Sequence, residues 1–311
     1  MQDRSDPSPF SAELPLSPFA DPNDHRHFQS LVRDYFVRRG QRLKFRDDLS
    51  ATDEHGMSHG FYNLAQVCQQ APRGRWPGLV RDHLDRSDVR LIQGVAESMV
   101  ASRFAEVRDN LLLRIYPEDY LAQCPSNAIV HRTDLPGTVT VLVLDAPSSA
   151  MALPTPIAEH WGVPKQELFA RALANVAERP YPWKRLTLPP PCDPFDYATG
   201  DLYVTSLALC PGRLAKRGQH GNLLGLPHRG ILLSYPIDRL PSLAPLEALF
   251  VMTHGMFRDG PGSITPHLYW HTPDGRFLRI QGSQEGDRVR VAPCPEFLAL
   301  WERLRPASGR S

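Results

Sequence analysis

Residues 138–145, Thr-Val-Thr-Val-Leu-Val-Leu-Asp, are the stretch of the 311-residue chain that decides its fold. The β-branched residues predict a strand. Because the stretch is apolar almost throughout, we expect it to lie in the middle of a sheet, buried on both faces. Helical spacing at Ile157 and Trp161 and over residues 167–176 predicts helices after it, with Pro164 near a helix start. With further helices before the strand, this order predicts an α+β (mixed α/β) fold rather than a regular alternation.

Upstream, the spacing of apolar residues predicts a helical N-terminal lobe. Phe28, Val32 and Phe36 follow helical spacing, with Asp24 placed to cap the helix and Gly40 to end it. A short strand is expected around residues 43–45. Further helices are expected over residues 61–68, from Trp76 to Leu84 and from Val89 to Val107.

Downstream, two hairpins and two helices are predicted. Residues 223–226 and 231–235 flank the turn Pro227-His228-Arg229-Gly230, and residues 267–271 and 276–280 flank a turn with an Asp-Gly signal. Helices are expected over residues 243–257 and 296–304. We therefore expect a mixed sheet with hairpins and packed helices.

Proline is the outlier of the composition, with 31 residues, about twice the usual share. Its clusters predict a flexible tail over residues 1–24 and a linker or strand edge over residues 180–195. The predicted domains are that tail, an N-terminal α+β lobe over residues 25–188, and a C-terminal α+β lobe with both hairpins over residues 189–311.

Charge and apolar content exclude several classes of protein. The formal net charge is +1, which disfavours nucleic-acid binding through bulk charge. No run of 18 apolar residues and no secretory signal pattern occurs, so we expect a cytoplasmic protein that does not engage a membrane. The five cysteines include no CxxC pair, which disfavours a zinc ribbon, and their low density disfavours a disulfide scaffold.

The common catalytic and cofactor motifs are missing from the sequence. There is no GxxxxGK[ST] loop, GxGxxG motif, GxSxG elbow or HExxH helix. His267 and His271 are predicted on a strand, where four steps span about 13 Å and exclude a shared ion. His55 and His59 fall in a glycine-containing loop. Three Cys-Pro dipeptides, a known form of regulatory haem ligand, are too small an excess to predict haem. We therefore expect no metal and no cofactor.

The turn tip at His228 and Arg229 is the most interesting site on physical grounds. A histidine beside an arginine can hold an anion by charge-assisted hydrogen bonds. The alternative interpretation is that polar residues simply belong at turn tips.

Two segments of the chain resemble a known family. Residues 200–206 (GDLYVTS) and 221–233 (GNLLGLPHRGILL) resemble the YtpQ-like family of uncharacterised bacterial cytosolic proteins. Residues 141–145, 160–162 and 172–175 are also similar to that family, and residues 61–84 more weakly so. The resemblance covers roughly residues 110–280. The proline-rich tail and Cys210-Pro211, which would break a helix that runs on in relatives, depart from the pattern.

That resemblance implies a soluble α+β protein but no established reaction. It directs attention to four positions that are polar without an obvious packing reason: Tyr203, Ser206, His228 and Arg229. Our first hypothesis is a non-enzymatic binding or interaction protein that regulates or neutralises a protein partner. The alternative is an enzyme or small-molecule binder whose site lies between the His228-Arg229 hairpin and residues 201–206 and takes a small anionic ligand.

Overall fold

The chain folds into helices packed against three antiparallel sheets, as seen in a computed structural model. The structure describes residues 15–46, 48–54, 58–86, 102–123, 125, 127–146, 149–239, 243–285 and 288–304. The predicted α+β class is confirmed. Within these ranges every strand pairing is antiparallel, so the expected mixed sheet is not seen; hairpins and long returning loops connect the strands. No helix in them is both long and apolar enough to cross a membrane.

The N-terminal part has its own apolar cluster, in which Phe28, Val32, Leu64 and Trp76 are buried. Phe19, from the predicted tail, joins this cluster and packs on Trp76 with ring centroids 5.1 Å apart. The elements are α1 (Pro22–Val37), the sheet β1 (Leu43–Phe45), β2 (Ser50–Asp53) and β3 (Ser58–Gly60), α2 (Tyr62–Gln69) and α3 (Trp76–Arg86).

The start of α1 differs from the prediction. Asp21, not Asp24, is the N-cap, and its carboxylate accepts a hydrogen bond from the Asn23 amide at 2.8 Å. Pro22 occupies the first turn, where its fixed φ suits the helix and its missing N–H costs nothing. Asp24 therefore lies inside the first turn.

The stretch 138–145 lies in the centre of a four-stranded sheet, as predicted. It forms most of β6, which pairs with β4, β5 and β7. α6 packs on β4 and buries Leu168, Phe169 and Val176 against this sheet. The elements are α4 (Phe104–Val107), β4 (Leu111–Pro117), β5 (His131–Arg132), β6 (Thr138–Ala146), β7 (Ser149–Ala152), α5 (Thr155–Trp161) and α6 (Lys165–Glu178).

Both predicted hairpins are present in a seven-stranded sheet. β10 pairs with β11 across residues 226–230, and β12 pairs with β13 across residues 272–276. Its strands are β8 (Trp183–Leu186), β9 (Phe195–Thr199), β10 (Asn222–Gly225), β11 (Ile231–Pro236), β12 (Leu268–His271), β13 (Phe277–Glu285) and β14 (Arg288–Ala292), accompanied by α7 (Leu243–Asp259) and α8 (Pro295–Leu304).

This sheet is buried on both faces, which explains the apolar runs in β10 and β11. Leu224 and Leu232 join the cluster that includes β6 and α6, whereas Leu223 and Leu233 join a second cluster with α7 and α8. One apolar cluster thus draws residues from both sides of the domain boundary predicted at residue 188. The densest proline stretch includes the edge strand β8, in line with the strand-edge alternative.

The predicted helix Val89–Val107 is only partly covered by the structure. Phe104–Val107 is helical, while residues 89–101 lie outside the described residues.

The burial of His267 makes the fold sensitive to acid. Burial, with the nearby charges of Arg279 and His254, lowers the pKa of His267 from about 6.5 to about 4. The unfolded chain therefore binds this proton at a higher pH than the folded chain does. The stability contributed by neutral His267 is complete above pH 6.5 and is lost as the pH falls towards 4.

We expect the free energy of unfolding to fall by about 2 kcal/mol between pH 7.5 and pH 5 because of His267. Urea unfolding at both pH values measures this loss. His267→Gln should reduce the loss, and the exposed His160→Gln should leave it unchanged. Equal acid sensitivity in His267→Gln and the unchanged protein would contradict the assignment.

Candidate functional site

A cleft of about 460 Å³ lies where the N-terminal part meets the two larger sheets. We call it the tyrosine cleft. One wall comes from the end of β3 and the start of α2, and another from the end of β4 and the 3-10 turn after it. Arg229 and the loop 262–264 complete the lining. The walls carry Gly60, Tyr62 and Asn63; Ile115, Tyr116, Pro117, Asp119 and Tyr120; and Arg229, Gly262, Ser263 and Ile264.

The turn between β10 and β11 carries Arg229 into the cleft. The Arg229 amide donates to the Gly262 carbonyl at 3.1 Å, and the Ile264 amide donates to the Pro227 carbonyl at 2.8 Å. Gly262 has a φ of +74°, and a β-carbon there would overlap the Arg229 side chain from Nε to the guanidinium. Glycine at position 262 therefore permits both the loop conformation and the position of Arg229.

Arg229 is a half-buried cation without an acidic partner. Burial, followed by the charge of Arg114, lowers its pKa to about 10, and nearby Tyr116 and Tyr120 oppose that shift. It remains charged at neutral pH. Among the described residues, no carboxylate forms an ion pair with it.

Arg114 adds a second unpaired cation behind the cleft. Its side chain stands on β4 two residues before Tyr116, and the residue is only 5% exposed. Its guanidinium carbon lies 5.5 Å from the centre of the Tyr116 ring and 5.6 Å from that of Tyr203. Its Nε is buried without a hydrogen-bond partner. The two ring contacts offset part of the cost of burying this charge.

Three tyrosines give the cleft its aromatic character. The rings of Tyr116 and Tyr120 stack with centroids 4.0 Å apart and planes 14° apart. Burial, and secondarily the charge of Asp259, raises the pKa of Tyr62. The Tyr62 hydroxyl is buried and lacks a hydrogen-bond partner within the described part of the chain.

The structure does not bring His228 and Arg229 to one site. His228 lines a separate surface pocket with Gln70 and Met256, and its ring packs closely on Gly260. Burial, and secondarily the Arg229 charge, lowers the pKa of His228, while its Nδ1 accepts from the Gly230 amide at 3.2 Å. The two residues face different pockets because this turn pairs with the 260–264 loop in an extended, strand-like way.

Tyr203 and Ser206 lie away from the cleft lining and make structural contacts. The Tyr203 hydroxyl donates to Asp145 Oδ1 at 2.7 Å, and burial is the main cause of its raised pKa. Arg179 lies over its ring and pairs with Asp145. The buried Ser206 hydroxyl donates to the Leu113 carbonyl at 2.8 Å. Tyr203 still bears on the cleft indirectly, because its ring also contacts Arg114.

Sequence reasoning missed most of the residues that build the cleft. Arg114 carried a usable signal, since it interrupts the apolar run Leu-Leu-Leu-Arg-Ile-Tyr of β4. An arginine at such a position is rarely fully buried unless it is paired. Tyr62 and Tyr120 carried no such signal, because half-buried tyrosines are common.

The described residues contain no group of three or more His, Cys, Asp or Glu side chains able to hold a metal ion. His59 Nε2 lies 3.1 Å from Asp53 Oδ2, and His55 lies outside the described residues. Of the Cys-Pro cysteines, Cys124 also lies outside them, and burial raises the pKa of Cys210 to about 11, so its thiol is protonated at neutral pH.

Comparison of the chain with protein-family models, curated proteins and solved structures finds no match.

Proposed function

We propose that the protein binds a small anionic ligand in the tyrosine cleft through the guanidinium of Arg229. Arg114 adds positive charge from behind the Tyr116 ring. The observation that carries the proposal is the guanidinium of Arg229 in the cleft lining without a described carboxylate partner, with the buried guanidinium of Arg114 behind the Tyr116 ring. An anion would supply the missing charge and the missing hydrogen-bond acceptors.

Other arginines of the chain that have a structural role form ion pairs with aspartates. Arg179 pairs with Asp145 and Asp201, and Arg132 pairs with Asp134. Burying a cation without an acidic partner costs free energy, which a protein tolerates best where a ligand offsets the cost. The contrast favours a binding role for Arg229 over a structural one.

The proposal is one of binding and not of a reaction. Ser263 is the serine of the cleft lining, and its hydroxyl donates to the carbonyl of Phe257 on α7 at 2.7 Å. Its second contact, to the Gly260 carbonyl at 3.2 Å, is also with the backbone, so no base among the described residues contacts this hydroxyl. This geometry provides no nucleophile and base in contact.

Gly262→Ala is the variant that moves Arg229 without removing its charge. The new methyl group would displace the guanidinium, so we expect inorganic phosphate to bind about tenfold more weakly, measured by calorimetric titration. Because alanine is strained at a positive φ, Gly262→Ala should also lower the free energy of unfolding by about 1–2 kcal/mol.

Gly275→Ala is the matched control for that variant. Gly275 also has a positive φ, +88°, but a β-carbon there meets nothing within 4 Å. We expect similar strain and phosphate affinity within twofold of the unchanged protein. Equal affinity in both variants would contradict the placement of the anion beside Arg229.

Several expectations from the sequence stay predictions. These are membership of the YtpQ-like family, a protein partner that is regulated or neutralised, and a cytoplasmic location. A pull-down from native lysate that gives no stoichiometric partner would count against the protein partner.

A further inference from the structure

We propose that the ligand of the tyrosine cleft is a nucleoside monophosphate, with its phosphate on Arg229 and its base against the tyrosine rings. This inference rests on the proposed anion-binding function and adds the chemical class of the ligand. Three features of the cleft support it: the charge, the aromatic rings and the exposed polar residues of the lining.

The charge favours a phosphate monoester over a single carboxylate. Arg229 and Arg114 lie close enough for the charge of one to act on the other, and neither has an acidic partner among the described residues. A phosphate monoester carries close to two negative charges at neutral pH. Its oxygens also match the planar fork of a guanidinium.

The rings favour a ligand with a planar group. Tyr116 and Tyr120 already lie parallel, and Tyr62 lines the same cleft from α2. Because the facing sides of Tyr116 and Tyr120 cover each other, a base in the cleft would stack on an outer face of this pair or on the Tyr62 ring. A free phosphate ion or a sugar phosphate would leave these rings unused.

Two exposed polar residues of the lining favour a ligand that has both hydrogen-bond donors and acceptors. Asp119 is exposed, and its carboxylate would repel a ligand that is anionic throughout. Ribose hydroxyls and base amino groups donate to such a carboxylate. Asn63 is also exposed; its Oδ1 accepts from the Gly262 amide at 3.1 Å, which leaves its amide N–H groups for a base or sugar oxygen.

The size of the cleft fits one mononucleotide. About 460 Å³ is in the lower part of the range for small-molecule sites. The net charge of +1 and the missing glycine-rich phosphate loop disfavour a polynucleotide and a nucleoside triphosphate.

Calorimetric titration of the full chain tests this proposal. The probes are AMP, GMP, CMP and UMP, with ribose 5-phosphate, inorganic phosphate and adenosine as partial ligands. We expect at least one of the four nucleotides to bind about tenfold or more tightly than each partial ligand. Tyr116→Leu should lower the affinity for that nucleotide to the affinity for ribose 5-phosphate. The affinity for ribose 5-phosphate itself should stay within twofold of that of the unchanged protein. Tyr116→Phe should keep the affinity for the nucleotide.

Tyr197→Leu is the control, because Tyr197 is partly buried on β9 within the other apolar cluster. It should bind the nucleotide as the unchanged protein does. The nucleotide proposal is overturned if phosphate and ribose 5-phosphate bind as tightly as every nucleotide. It is also overturned if Tyr116→Leu leaves the affinity for the nucleotide unchanged. In either case the proposed anion site is retained. Adenosine binding as tightly as AMP overturns the charge argument. No binding by any probe overturns the proposed function itself.

Discussion

Arg229→Gln should weaken the binding of inorganic phosphate at least about 30-fold. Removing one partner of a half-buried, charged hydrogen-bonded pair costs about 2–5 kcal/mol of binding free energy. Glutamine keeps part of the aliphatic stem and a polar end but removes the charge. Calorimetric titration at fixed ionic strength measures the loss.

The stability of the same variant separates a binding role from a structural one. In the absence of ligand, Arg229 is a half-buried cation without a described acidic partner, so its replacement should leave the free energy of unfolding unchanged or raise it. A structural arginine would lower it. Arg276→Gln, at the exposed tip of the second hairpin, is the control and should bind phosphate normally. Phosphate affinity equal in all three proteins would refute the role of Arg229.

Leu168→Ala should lower the free energy of unfolding by about 2–5 kcal/mol. Leu168 lies on α6 and is 1% exposed, packed in the cluster that joins the β6 sheet to the seven-stranded sheet. Truncation removes apolar contacts and leaves a cavity between α6 and the four-stranded sheet on which it packs. Urea unfolding measures the loss.

Leu298→Ala is the matched control, since Leu298 also lies on a helix, α8, but is 47% exposed. It should change the free energy of unfolding by less than about 0.5 kcal/mol. If the two variants lose similar stability, the cluster around α6 is not the core that holds the sheets together.

The spacing of apolar residues was enough to predict helices and strands that are defined by residues close together in the sequence. The hairpin β10–β11 follows from apolar residues on both sides of Pro227-His228-Arg229-Gly230, and β6 follows from its own β-branched run. The first helix was placed correctly but its cap was not. Asp24 and Asp21 are both acceptable caps, and Pro22 decides between them.

The tyrosine cleft could not be predicted in the same way, because its walls come from four separated stretches near residues 62, 116, 229 and 262. The sequence predicted Arg229 as a site residue but paired it with His228, because the two are adjacent at a turn tip. The strand-like pairing of this turn with the 260–264 loop sends the two side chains to different pockets. Besides burial, the charge that lowers the pKa of Arg229 is that of Arg114, which is 115 positions away in the sequence.

The most direct test of the anion site is a crystal structure of the full chain grown with tungstate, a phosphate analogue with strong anomalous scattering. We expect an anomalous difference peak within hydrogen-bonding distance of the Arg229 guanidinium, and loss of that peak in Arg229→Gln. A tungstate-containing crystal with no peak in the tyrosine cleft, or with peaks only at other arginines, would contradict the anion site.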